Sequence, residues 1–201
     1  MRIVRAMLFA LLLIVTMALM AAPAAAPEKV TKEMGTPIAA ITVEIYSDFQ
    51  CPHCKLVHET WMPSLIKDYV LTGRVHLIQH EFPLQQHPLA KIAAYYACAA
   101  DRVGKYGQVA DILFKKQDDW GKDGKVDETA CSVLTHDEAV RVRALTKDPA
   151  IVAQVQKDLD LGMKVPLRET PTVIVTHKGR KYPVNVGGDY SYFAKLLDSL
   201  H

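Results

Sequence analysis

Two cysteines three residues apart are the part of this chain best suited to chemistry. Cys51 and Cys54 enclose Pro52-His53, and the motif follows directly on an alternating apolar stretch and opens one with helical spacing. A C-x-x-C pair alone is a moderate signal. Set between a strand and the first turn of a helix, it points to thiol–disulfide exchange. Unpaired N–H groups and the positive end of the helix dipole would face Cys51 and favour its thiolate. Pro52 pre-sets the first turn. His53 can bring an imidazolium near the sulfur, and Cys54, one turn further in, would be the resolving thiol. Each unit by which the Cys51 pKa falls below ambient pH favours the reduced, ionised form by about 1.4 kcal/mol. For a two-electron couple that is about 30 mV. The motif therefore favours giving a disulfide away over reducing one.

Plainer readings of the pair are a structural disulfide or half a metal site. His58 lies four residues after Cys54 and could join a metal on one helix face, but there is no second C-x-x-C, so no metal and no cofactor are expected. Haem attachment would need His where Lys55 stands.

The elements around the motif follow from periodicity. Ile41, Val43 and Ile45 alternate with Thr42, Glu44 and Tyr46, a period-two strand. A helix is expected over about 52–71, bent at Pro63 and stopped by Gly73, and a second strand over 75–82. Strand–helix–strand favours a parallel pair with a right-handed crossover. Residues 87–164 read as helical throughout. The expected helices start at His87-Pro88, at about Gln108, at Thr135 with Glu138 as a capping box, and at Asp148-Pro149, with a turn over 118–126. The β-branched run Thr172–Thr176 reads as a buried strand, Lys178-Gly179 as a hairpin turn and 181–186 as the returning strand. A last helix carries Phe193, Leu197 and Leu200. Asp48, three residues before Cys51, would cap the helix or orient the loop, with capping the default.

Half of the 201 residues are hydrophobic and 23% are charged, enough for a packed core. Arg2 and Arg5 precede an apolar run from Ala6 to Met20 and small residues from Ala21, the layout of a secretory signal peptide over 1–24 with Ala25 as the new first residue. An uncleaved anchor is the alternative, although the run is short for a membrane span. Without Arg2 and Arg5, the 24 basic residues become 22 against 22 acidic, and no basic run marks a nucleic-acid partner. The expected address is a bacterial periplasm or envelope, where disulfides persist. An exported chain tends to pair its remaining cysteines, so a structural Cys98–Cys131 bridge is expected, worth ~3–4 kcal/mol by chain entropy. Two buried thiols or a regulatory pair are the alternatives. Residues 25–38 read as a flexible lead-in.

The stretch Ser47-Asp48-Phe49-Gln50-Cys51-Pro52-His53-Cys54 resembles the active site of the DsbA family of thioredoxin-fold oxidases, and Thr170-Pro171-Thr172 resembles that fold's cis-proline loop. The resemblance covers about residues 38–200. It implies an α/β fold with a thioredoxin-like mixed sheet, built from residues 39–86 and 165–201 and split by an all-helical subdomain at 87–164. It also implies that Cys51 forms the mixed disulfide, Cys54 resolves it and His53 tunes the thiolate. Pro52, Thr170 and a cis Pro171 would face the substrate, the Thr170 backbone pairing with an extended polypeptide. Reduced polypeptides are the implied substrates of a monomer, and a membrane oxidase of the DsbB or VKOR type the implied re-oxidant. In one respect the chain departs from the family. The buried Glu commonly found six residues before the first Cys is Ile45 here, and Glu44 should point to the opposite face. The rival functions are a disulfide isomerase or reductase, and a non-catalytic metal-binding or other binding protein on the same scaffold.

Overall fold

The computed structural model describes residues 30–165, 167 and 169–200, so the expected signal peptide lies outside the described residues. Five strands form one mixed sheet: β1 (Glu33–Met34), β2 (Ile41–Ser47), β3 (Val75–Glu81), β4 (Thr172–His177) and β5 (Arg180–Val184). Their order is β1-β3-β2-β4-β5. β2 runs parallel to β3, with Val43 opposite Leu77, and antiparallel to β4, with Val43 opposite Val175. The expected alternation puts Val43 and Ile45 on one buried face with Leu77, Val173 and Val175. Glu44 turns the other way, towards His80 and Lys181. The β4–β5 hairpin turns on Lys178 (φ 47°) and Gly179 (φ 75°), the two left-handed residues that a two-residue loop of this kind requires.

The helix after the motif is broken. α1 (Pro52–Thr60) ends at Trp61, α2 (Met62–Leu65) follows, and residues Ile66–Val70 wind as a π-turn in which Leu71 N–H donates to Ile66 O at 2.9 Å. Pro63 has no N–H to give back to the preceding turn, so the chain interrupts the helix there instead of bending it smoothly. Val57, Trp61 and Leu65 nevertheless keep one face on the sheet, against Phe193 and Leu197 of the final helix.

The insertion holds α3 (Ala90–Arg102), α4 (Tyr106–Lys115), α5 (Gln117–Asp123), α6 (Val126–Cys131), α7 (His136–Leu145) and α8 (Pro149–Lys164), and the last helix is α9 (Tyr190–Ser199). The capping box forms in full at Thr135 and Glu138, and Asp148 caps α8. The turn expected over 118–126 is instead two short helices. Asp118-Asp119 and Asp127-Glu128 place negative charge in their first turns, Gly124 (φ 76°) ends the first of them, and Trp120 is fully buried. The core of the insertion continues under the active-site loop: Phe49, Cys51 and Cys54 pack with Ala97, Leu113 and Trp120.

Two further expectations need correction. The described part of the lead-in is anchored. β1 pairs with β3, Gly107 N–H donates to Val30 O at 3.1 Å, and the buried Lys32 ammonium meets Asp158 of α8. Gly35 (φ 83°) lies so close to β3 that a Cβ there would run into the Val75 carbonyl oxygen. The Cys98–Cys131 bridge is also not formed, and all four cysteines are free thiols. Cys98 faces Ile151 and Val155 of α8. Cys131 instead donates to Asp127, the carboxylate that also receives the hydroxyl of Tyr96. Tyr96 and Cys98 are two residues apart on α3, about 200° around the helix, so the two sulfurs belong to opposite faces.

Candidate active site

Cys51 is the N-cap residue of α1, with φ −81° and ψ 121°, and no side chain occupies the cap. The helix terminus is therefore left for the sulfur. Thr170-Pro171 is a cis peptide bond, and it brings Thr170 against the motif: Cys51 Sγ donates to Thr170 O at 3.1 Å. The expected pairing of Cys51, Cys54, Thr170 and Pro171 in one place is present.

The two thiols are pushed apart in acidity. Cys51 is lowered to about 5, first by the hydrogen bond it shares with Cys54, then by the Thr170 side chain and the backbone N–H groups of Cys54 and His53, all against burial. The Thr170 hydroxyl is buried beside it without a hydrogen-bond partner among the described residues. Cys54 is pushed well above the ordinary thiol range, by burial first and then by the neighbouring Cys51. This split suits one sulfur for entering and leaving as a thiolate and the other for staying protonated until it is used. His53 takes part through its main chain, while its ring is exposed beside a groove of about 690 Å³ that also meets Leu56, Thr170, Pro171 and residues 183–188.

Asp48 does not cap α1. Its carboxylate is fully buried and accepts from Gln50 N–H at 2.7 Å, Leu84 N–H at 2.7 Å and His87 Nδ1 at 2.8 Å. Its own N–H donates to Cys54 Sγ at 3.3 Å. Gln117, at the start of α5, donates from Nε2 to both Phe49 O (2.7 Å) and Cys51 O (3.0 Å), and Gln50 Oε1 accepts from Leu89 N–H at 2.6 Å. These supports come from the β3–α3 connection and the insertion, distant in sequence, and only Asp48 carried a signal in the sequence. His58 pairs with Asp111 at 2.7 Å and lies on the Phe114 ring. Ile45 sits in the apolar core of the sheet.

Two unequal thiols at a helix start, closed over by a cis-proline loop on a thioredoxin-like sheet, define a thiol–disulfide oxidoreductase. The chain belongs to the thioredoxin family whose model, Thioredoxin_4, matches residues 27–195. Within it the protein is DsbA-like. It is 28% identical over 151 residues to disulfide bond formation protein D of Bacillus subtilis, covering 72% of this chain and 67% of that one. It is also 29% identical over 153 residues to Na(+)/H(+) antiporter NhaA 1 of Mycolicibacterium gilvum, but spans only 24% of that longer protein. Among solved structures, alpha-DsbA1 of Wolbachia pipientis superposes with a TM-score of 0.69 at 23% identity, over 87% of this chain and 92% of the other. Oxidised BdbD of Bacillus subtilis superposes with 0.68 at 24% identity, over 84% and 91%. These likenesses carry the fold, a mixed sheet with a helical insertion.

Proposed function

We propose that the protein donates the Cys51–Cys54 disulfide to reduced polypeptides outside the cytosol. The observation that carries the reading is a Cys51 thiol lowered to about 5 at the helix start, against Thr170 and beside an open groove. A stabilised product thiolate makes its disulfide a ready oxidant. A substrate thiolate attacks Cys51 Sγ, the Cys51–Cys54 bond breaks and its electron pair passes to the Cys54 sulfur, which takes a proton. A second substrate thiolate then attacks the substrate sulfur of the mixed disulfide. The substrate leaves oxidised, and Cys51 leaves as the thiolate. The groove beside Thr170 and Pro171 receives the polypeptide in extended form, the Thr170 backbone pairing with it. The Arg2-to-Ala26 layout supports export, and no helix among the described residues is long and apolar enough to cross a membrane. The protein works as a monomer, and a membrane oxidase of the DsbB or VKOR type returns Cys51 and Cys54 to the disulfide.

The test is a thiolate titration of Cys51 by ultraviolet absorbance, with a reduction potential from glutathione equilibration and oxidation of a reduced dithiol peptide. A midpoint near 5, an oxidising potential and loss of peptide oxidation in Cys51→Ser are expected. A midpoint near that of free cysteine, or a strongly reducing potential, rules out the donor reading.

A further inference from the structure

The loop carrying the motif is cross-linked to the β3–α3 connection by one buried carboxylate, and that cross-link ends on the resolving sulfur. Asp48 Oδ1 accepts from Gln50 N–H and closes its own loop. Oδ2 accepts from both Leu84 N–H and the His87 ring. The same residue's backbone N–H points at Cys54 Sγ, 3.3 Å away. Cys54 lies in an apolar cluster and is only 1% exposed, so few donors can meet it when it carries charge. Ile45, six residues before Cys51, is packed in the apolar core of the sheet and brings no acid to the site.

We propose that Asp48 and His87 are positioning residues for the resolving step: they clamp the Asp48 amide onto Cys54 and so stabilise the Cys54 thiolate as it leaves or attacks. This deepens the oxidoreductase reading and rests on it. In the resolving direction Cys54 gives its proton to water, and its sulfur attacks Cys51 Sγ of a mixed disulfide. The Cys54–Cys51 bond forms, the bond from Cys51 to the bound thiol breaks, and the thiol leaves as a thiolate. The clamp does not touch Cys51: its thiolate is held first by the Cys54 S–H, then by Thr170 and the Cys54 and His53 amides, whereas the Asp48 amide donates to the Cys54 sulfur and leaves that S–H for Cys51.

The chemistry of the side chains chooses the variants. Asp48→Asn keeps an oxygen for Gln50 N–H but turns the other position into a donor facing two donors. His87→Ala removes one arm, whereas His87→Asn can place its amide nitrogen near the Nδ1 position and should keep it. Reduced full-length protein is mixed with glutathione disulfide and acid-quenched over time, and the Cys51–glutathione adduct is followed by mass. Cys51 reactivity is measured separately with iodoacetamide. The expected result is that Asp48→Asn and His87→Ala slow decay of the adduct about tenfold, that His87→Asn stays near wild type, and that alkylation of Cys51 is unchanged throughout. The proposal is overturned if the adduct decays at the wild-type rate in both disruptive variants, if His87→Asn is as slow as His87→Ala, or if alkylation changes in step with resolution. Failure of wild-type Cys51 to form any adduct would instead bring down the oxidoreductase reading, and this proposal with it.

Discussion

At the scale of single residues, the site depends on groups that hold backbone atoms as much as on the two sulfurs. Gln117 is the clearest case. One buried amide nitrogen satisfies two carbonyls of the active-site loop, those of Phe49 and Cys51. Gln117→Leu would leave the Phe49 carbonyl in an apolar cluster without a donor, and the Cys51 carbonyl with the Lys55 N–H alone. The expected cost is about 1–3 kcal/mol, read as a lower urea midpoint at unchanged slope. Gln117→Glu is expected to be worse at neutral pH, because a carboxylate would then face two carbonyls. A Gln117→Leu midpoint equal to wild type would show that water replaces the amide and that the loop needs no support from α5.

At the scale of elements, the chain could be read wherever a local signal and the tertiary structure agree. The alternation at Ile41–Ile45, the Thr135–Glu138 box, the Asp148-Pro149 start and the Lys178-Gly179 turn all depend on neighbours in sequence, and all formed as expected. The pairing of Cys51 with Thr170, 119 residues apart, could be anticipated because the family resemblance supplied the long-range contact. What could not be read is what only packing decides. Asp118 to Val126 is rich in turn formers, yet the burial of Trp120 winds it into helix. Cys98 and Cys131 fit an even-cysteine rule, yet the facing of α3 separates them. The lead-in looks like a polar tail until Asp158 appears across from Lys32. That last element makes a prediction of its own. Removing one partner of a buried ion pair strands the other, so Lys32→Met should cost about 3 kcal/mol. Gly35→Ala should also destabilise, through its positive φ and the Val75 carbonyl. If Lys32→Met instead unfolds at the wild-type midpoint, β1 is a passive edge and not a strap.

At the scale of the whole molecule, two sets of titrating groups pull stability in opposite directions with pH, and the redox state separates them. At the end of β3, burial raises Glu81 to about 7. Burial lowers His80, but its hydrogen bonds to Asp158 and Glu44 outweigh that and raise it. A raised histidine stabilises the fold below its unfolded value, and that contribution is lost as pH rises through its folded value. A raised acid opposes folding increasingly as pH climbs from its unfolded value towards 7. Both make the oxidised protein less stable on going from about pH 5 to about pH 8. Cys51 has the reverse sign. Its depressed pKa gives stability that is fully present above the unfolded value of 9.0 and is lost as pH falls through about 5, and only the reduced form has it. The difference in melting temperature, reduced minus oxidised, should therefore grow with pH across that same interval, while the oxidised curve alone declines. Glu81→Gln should flatten the oxidised decline without touching the difference, and Cys51→Ser, which forms no disulfide and has no thiolate at this position, should decline with pH as the oxidised protein does. Parallel curves for the two redox states would mean that Cys51 is not ionised at neutral pH, and the stabilised thiolate behind the proposed direction of disulfide transfer would be lost.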